Sequence, residues 1–292
     1  MKNCKSIASV LGFVLACIGA TTAADAPPLT FTFSKANVPG ALQTFPAGIN
    51  NAGTMVGGYE DKNKVFHGYI LSGKTLTTVD DPNGTNSGVS NIQNNGTNVV
   101  GAYTNSSGVS EGFLFKGGKF TDISGPAGAT AASAYGINDK GAIVGSYLDS
   151  TGVTHGFLLK GKTYTTLDVP GALNTQAFGI NNRGNIVLVW QDSNGALESS
   201  FYNGKAYKTI NVPGATFSVA GDLNNAGDIC YYWIDSSNRF HGALLHGGKY
   251  YKFNYPKAVF TAAFGINDKH EVAAEYQAKP RGHYLGLKVI FK

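Results

Sequence analysis

The chain has 292 residues, of which 42% are hydrophobic and only 14% charged, with 39 glycines and a formal net charge of +5. It is long enough to bury a sizeable core, and its small, dispersed charge without any Lys/Arg run gives no footprint of a nucleic-acid partner. Two of its three cysteines, Cys4 and Cys17, stand near the amino end, which leaves Cys230 alone and excludes an internal disulfide in the rest of the chain.

The first element reads as an export signal: Lys2 and Lys5, an apolar run over residues 7–19, then Ala20, Thr21, Thr22, Ala23 and Ala24. Cleavage after Ala24 is expected, giving a signal peptide at 1–24, a single domain at 25–292 and a net charge of about +3. In a second reading Val14-Leu15-Ala16-Cys17 is a lipobox and Cys17 carries a lipid anchor, although Leu15 and Ile18 fit that motif poorly. The apolar run is shorter than the ~20 residues a membrane span needs, so no transmembrane segment is expected. The predicted location is secreted or periplasmic, with an outer-membrane lipoprotein as the alternative.

From residue 48 one phrase recurs six times: Gly48-Ile49-Asn50-Asn51, Asn91-Ile92-Gln93-Asn94, Gly136-Ile137-Asn138-Asp139, Gly179-Ile180-Asn181-Asn182, Asp222-Leu223-Asn224-Asn225 and Gly265-Ile266-Asn267-Asp268. The period of about 43 residues is that of one four-stranded propeller blade. The third repeat predicts strands over 133–138, 142–147, 154–159 and 164–169, separated by turns at Asp139-Lys140-Gly141, 149–152 and Lys160-Gly161-Lys162. Glycine supplies the positive φ of short hairpins, and Asn or Asp before it hydrogen-bonds its own turn. A fourth strand closed by proline occurs before Pro82, Pro126, Pro170, Pro213 and Pro256. A spare copy stands at residues 29–38 before Pro39, whereas the last repeat lacks one. The expected fold is therefore an all-β, six-bladed β-propeller with four antiparallel strands per blade. Its ring closes by pairing Thr30-Phe31-Thr32-Phe33 with residues 283–287, which removes two sheet edges.

Gly136-Ile137-Asn138-Asp139, Ile143-Val144-Gly145, His155-Gly156-Phe157 and Thr166-Leu167-Asp168-Val169-Pro170-Gly171-Ala172 resemble the bacterial extracellular HAF repeats, over nearly all of the mature chain. The resemblance implies export and a propeller-like repeat fold, and assigns no catalytic residues. The chain departs from the His-Gly-Phe pattern at Glu111, at Ser199-Ser200-Phe201 and, in the last repeat, at Arg281-Gly282.

Candidate chemistry is sparse. His67, His155 and His241 share one repeat position and so stand far apart around a ring, which makes them hydrogen-bonding groups within their blades rather than ligands of one metal. Asn50, Asn138, Asn181, Asn224 and Asn267, with Gln93, read as turn-forming amides. Asp61, Asp149, Asp192 and Asp235 offer one carboxylate per loop and read as turn caps, not calcium ligands. No metal or cofactor is expected. Ten or eleven residues after each signature Ile or Leu comes Tyr59, Tyr103, Tyr147, Trp190, Trp233 or Tyr276, a set that either fills the wedge between blades or offers stacking platforms to sugars. Asn91 and Asp222 alone replace the Gly of the signature, three repeats apart. Their positions place them opposite each other across a wet axial channel, where they form a candidate asymmetric site. The reading is an exported, non-enzymatic protein that binds carbohydrate or an envelope protein at a loop face. The alternative is a secreted polysaccharide-processing enzyme with its site in the axial funnel.

Overall fold

A computed structural model describes residues 28–292; the expected signal peptide at 1–24, its expected cleavage site and Cys17 lie outside the described residues. Among the described residues there are 24 strands, and no helix long and apolar enough to cross a membrane. In the third repeat the strands are Ala131–Ile137, Ile143–Leu148, Thr154–Lys160 and Thr163–Leu167, hydrogen-bonded in chain order and antiparallel. Repeats one to four each form such a four-stranded sheet. The remaining eight strands are assigned to one sheet, in which repeat five and repeat six are joined by a single parallel bridge, Phe240 to Phe260. The fold is a β-propeller.

Antiparallel order fixes the two faces. First strands end in the signature turns, and the hairpins between third and fourth strands return to that same face. The turns between second and third strands, and the connections leaving each fourth strand, lie on the opposite face.

The amino-terminal strand Phe31–Lys35 pairs antiparallel with Leu285–Phe291, with Phe31 opposite Phe291 and Lys35 opposite Leu287. The partner strand is the one expected, but its register is not. Residues 278–284 form a loop after Gln277, fastened by a Gln277 Nε2 bond to the Gly282 carbonyl and a Tyr284 N–H bond to Gln43 Oε1. The strand therefore starts at Leu285 instead of His283. Phe31 and Phe33 pack on Phe253, with ring centroids 4.9 and 6.3 Å away, so the N-terminal strand also covers the last strand of repeat five.

The core is divided among the seams between consecutive repeats. Val56 packs with Val89 and Phe113, Val100 with Ile137 and Phe157, and Val144 with Ile180 and Leu188. Val187 packs with Leu223 and Tyr231, and Cys230 with Ile266 and Leu287. Ala273 of the last repeat packs with Ile49 and Tyr69 of the first. The signature Ile thus buries itself against the preceding repeat. Cys230 takes the small apolar position of its strand, fully buried, and burial pushes its thiol pKa well up.

The signature Asn serves its own turn and the next repeat together. Asn138 Oδ1 accepts from the Lys140 and Ala142 amides, while Nδ2 donates to the Asn181 carbonyl at 3.0 Å. Asn181 reaches Asn224, Asn224 reaches Asn267, and Asn267 returns to the Asn50 carbonyl at 2.8 Å. Asn50 donates to Gly96, and Gln93 to the Asn138 carbonyl. The turn role read from the sequence is present; the inter-repeat role is additional.

Candidate functional site at the propeller axis

Every first strand carries the same irregularity. The register shifts between Pro46 and Gly48, Val89 and Asn91, Ala134 and Gly136, Ala177 and Gly179, Ala220 and Asp222, and Ala263 and Gly265. Such a bulge leaves one residue unpaired and re-aims it. The skipped residues are Ala47, Ser90, Tyr135, Phe178, Gly221 and Phe264, and all six border a cavity of about 380 Å³. Each is half-buried, whereas the residues on both sides of it are buried.

Below the bulges the strands converge so closely that the signature Gly has no room for a side chain. A Cβ on Gly265 would stand 2.6 Å from the Ala47 carbonyl and from Gly48 Cα, and one on Gly136 would stand 2.6 Å from the Phe178 carbonyl. Only two repeats place side chains here, and those two meet: Asn91 Nδ2 donates to Asp222 Oδ2 at 3.1 Å, with both residues buried. Asn91 Oδ1 accepts from the Ile92 amide and Asp222 Oδ1 from the Leu223 amide. The two residues meet where the strands converge, so no wet channel separates them: Asn91 borders the cavity, and Asp222 is bonded to it without lining the cavity itself. Burial raises the Asp222 carboxyl to about 7, against the lowering effect of these hydrogen bonds.

The walls are aromatic. Phe45, Phe66, Tyr135, Phe178, Tyr232 and Phe264 line the cavity. Tyr135 and Phe178 stack at 4.9 Å with an 8° interplanar angle, Phe45 lies 5.9 Å from Phe66, and Tyr232 lies 5.5 Å from Phe264. Phe66 can lie against the sheet because Gly58 offers no Cβ, which would otherwise fall 2.2 Å from its ring. Polar groups enter from Asn86, Ser90 and Asn91 and from the two tyrosines. An apolar concavity with a few convergent hydrogen-bonding groups is the usual form of a small-ligand site. The cavity opens opposite the signature turns.

None of the sequence-predicted aromatic set lines this cavity. Tyr103, Trp233 and Tyr276 are buried, and Tyr59, Tyr147 and Trp190 half-buried. Their faces and polar tips are engaged within their own repeats, except that Tyr276 meets the preceding one. Tyr59, Tyr147 and Trp233 stack on His67, His155 and His241 at 5.0, 5.1 and 4.5 Å. Tyr59 and Tyr147 hydroxyls bond Thr78 and Thr166, and the Tyr103 hydroxyl bonds Asp122. Trp190 Nε1 donates to Ser200, Trp233 Nε1 to the Gly242 carbonyl, and Tyr276 packs on Tyr255 at 4.2 Å.

Each histidine is clamped in turn. His155 Nδ1 lies 2.9 Å from Asp168 and Nε2 3.3 Å from Asp149; His67 meets Asp80 and Asp61, and His241 meets Asn254 and Asp235. Burial disfavours the charged ring of His155, but Asp168 and Asp149 outweigh it and raise its pKa. The turn reading of the aspartates holds, since Asp61, Asp149, Asp192 and Asp235 each accept two amides of their own loop. Strand pairing also corrects the His-Gly-Phe alignment. Glu198 stands opposite Trp190 and Leu285 opposite Tyr276, so these occupy the His position in place of Ser199 and Arg281.

No family model matches the chain, and no curated protein is similar to it in sequence. Among solved structures it is similar to the SapL1 lectin in complex with α-methyl fucoside, with a TM-score of 0.55, 11% identity, and 85% of this chain and 93% of that one covered. It is similar to AofleA from Arthrobotrys oligospora, with a TM-score of 0.53, 12% identity and coverage of 90% and 92%. TolB from Acinetobacter baumannii scores 0.54 at 10% identity, over 89% of this chain and 63% of that protein. At these identities the likeness is one of fold.

Proposed function

We propose that the chain is an exported, closed six-bladed propeller of the HAF-repeat kind that binds a carbohydrate, without chemistry, in its axial aromatic cavity. Closure is supported by the pairing of Phe31–Lys35 with Leu285–Phe291 and by the Asn267 bond back to Asn50. The observation that carries the binding reading is the bulge in all six first strands, which aims Tyr135, Phe178 and Phe264 at one cavity. Flat aromatic faces suit the C–H faces of sugar rings, and the neighbouring amides and hydroxyls suit their hydroxyl groups. SapL1, a lectin of similar fold bound to a fucoside, gives the reading a precedent. The lining is apolar and amide or hydroxyl in character, a chemistry suited to holding a ligand. Asp222, the partner of Asn91, is occupied by that bond and by the Leu223 amide.

A glycan array probed with residues 25–292, followed by saturation-transfer NMR on the saccharides retained, tests this. Binding to a neutral saccharide that disappears in Phe178→Ala is the expected result. Binding unaffected by that substitution but lost in Trp190→Ala would move the site to the blade rim.

A further inference from the structure

Many of the cations of this chain are scattered in sequence and gathered in space. Each hairpin between third and fourth strands carries lysine in its turn or at the start of its fourth strand, as at Lys74, Lys119, Lys162, Lys205 and Lys249, and Lys292 follows the third strand of repeat six. The inner signature turns of the same face add Lys140, Arg183 and Lys269. All of these are exposed. Among the described residues only Lys288 of the lysines and arginines makes a salt bridge, with Glu271 at 3.0 Å. The carboxylates nearest the axis on this face, Asp139 and Asp268, are taken up by side-chain bonds from Asn95, Asn182, Asn51 and Asn225. Asp228 on this face is bonded to His246.

Two recesses break this face. One, of about 380 Å³ between repeats three and four, is lined by Lys140, Lys160 and Arg183 together with Asn138 and Asn182. The other, of about 500 Å³ between repeats two and three, is lined by Lys116, Lys162, Tyr164 and Asp122. The exposed large apolar side chains, Val65, Leu173 and Leu197, all belong to segments of the opposite face. A surface that enters a membrane presents apolar groups beside its cations, and this one presents cations, amides and recesses.

We propose that the signature-turn face is a second binding surface, for an acidic polysaccharide whose carboxylate- or sulfate-bearing units seat in the Lys140–Lys160–Arg183 recess. Spaced cations around a disc match the spaced charges of such a chain, and unpaired lysines gain most from a polyanion because no internal carboxylate has to be displaced. The site is independent of the axial cavity, which opens on the other face.

The test measures binding of residues 25–292 to polyuronate, to neutral dextran, to anionic phospholipid vesicles and to duplex DNA over a salt series. Polyuronate is expected to bind, dextran not, with an affinity that falls as salt rises. K140Q/K160Q/R183Q is expected to weaken polyuronate at least about tenfold and flatten the salt dependence. K62Q/K64Q/R239Q, on the opposite face, removes the same charge and is expected to leave binding within about twofold. Equal loss in both triple variants, unchanged binding in the first, or tighter binding to vesicles or DNA than to polyuronate would overturn the proposal. A circular dichroism melt of each variant verifies folding before binding is read.

Discussion

At the residue scale the informative side chains are the buried carboxyls. Asp222 is raised to about 7 and Glu275 to about 8, both by burial, while an ordinary carboxyl titrates near 4. The folded state therefore holds protons that the unfolded chain has released, so stability is greatest below the ordinary value and is lost as pH rises from about 4 toward 8. The clamped His155, with its raised pKa, acts in the same direction as pH rises through its folded value. Melting temperatures measured from pH 4.5 to 8.5 should accordingly fall, and E275Q should make the fall shallower. The carboxyl contributes on the order of 2–4 kcal/mol between the two ends. A flat profile in the wild type would show that these acids are solvated. Cys230 offers a separate check: wholly buried with a raised thiol pKa, it should react with a thiol reagent only after denaturation. Fast labelling under native conditions would contradict its place in the seam.

At the element scale the sequence was read best where a mechanism repeats. Turn glycines, closing prolines and the spare strand at residues 29–38 all predicted real elements, because each depends on local backbone chemistry. The register of that strand was not legible, since it depends on the loop over residues 278–284, which is longer than the corresponding turns of the other repeats. Removing residues 29–38 takes Phe31 and Phe33 from Phe253 and exposes the edge of Leu285–Phe291. Soluble yield or cooperative melting should collapse; a melt identical to the full chain would refute closure by this strand. The amide ring is a finer probe. Asn267→Ala removes the bond to the Asn50 carbonyl and the turn's own acceptor, at an expected cost of about 1–3 kcal/mol by chemical denaturation. An unchanged midpoint would mean that the ring holds without this link.

At the scale of the whole molecule the sequence concealed two things, for opposite reasons. The cavity aromatics stand at Tyr135, Phe178 and Phe264 but are Ala47, Ser90 and Gly221 in the other repeats, so they read as variation rather than as a motif. The regular set, Tyr59 to Tyr276, stands out in the sequence because repetition is visible, and its role is structural: Tyr59, Tyr147 and Trp233 pack against the clamped histidines, while Tyr103, Trp190 and Tyr276 meet Asp122, Ser200 and Tyr255. The lysines of the hairpins between third and fourth strands look dispersed because their period is that of the repeat, and only folding brings them to one face. Periodicity reveals what every repeat must do to form the ring. What one propeller does differently from another rests on departures from the period, as the bonded pair of Asn91 and Asp222 illustrates.

The central claim is that ligand binds among the aromatic residues aimed by the bulges. Isothermal titration of the strongest array saccharide against wild type, Tyr135→Ala, Phe178→Ala and Trp190→Ala tests it most directly. The first two substitutions each remove a stacked face from the cavity wall and should weaken binding by about tenfold, corresponding to roughly 1.4 kcal/mol, with Trp190→Ala leaving the affinity within about twofold. Equal affinities for wild type, Tyr135→Ala and Phe178→Ala, with loss confined to Trp190→Ala, would contradict it.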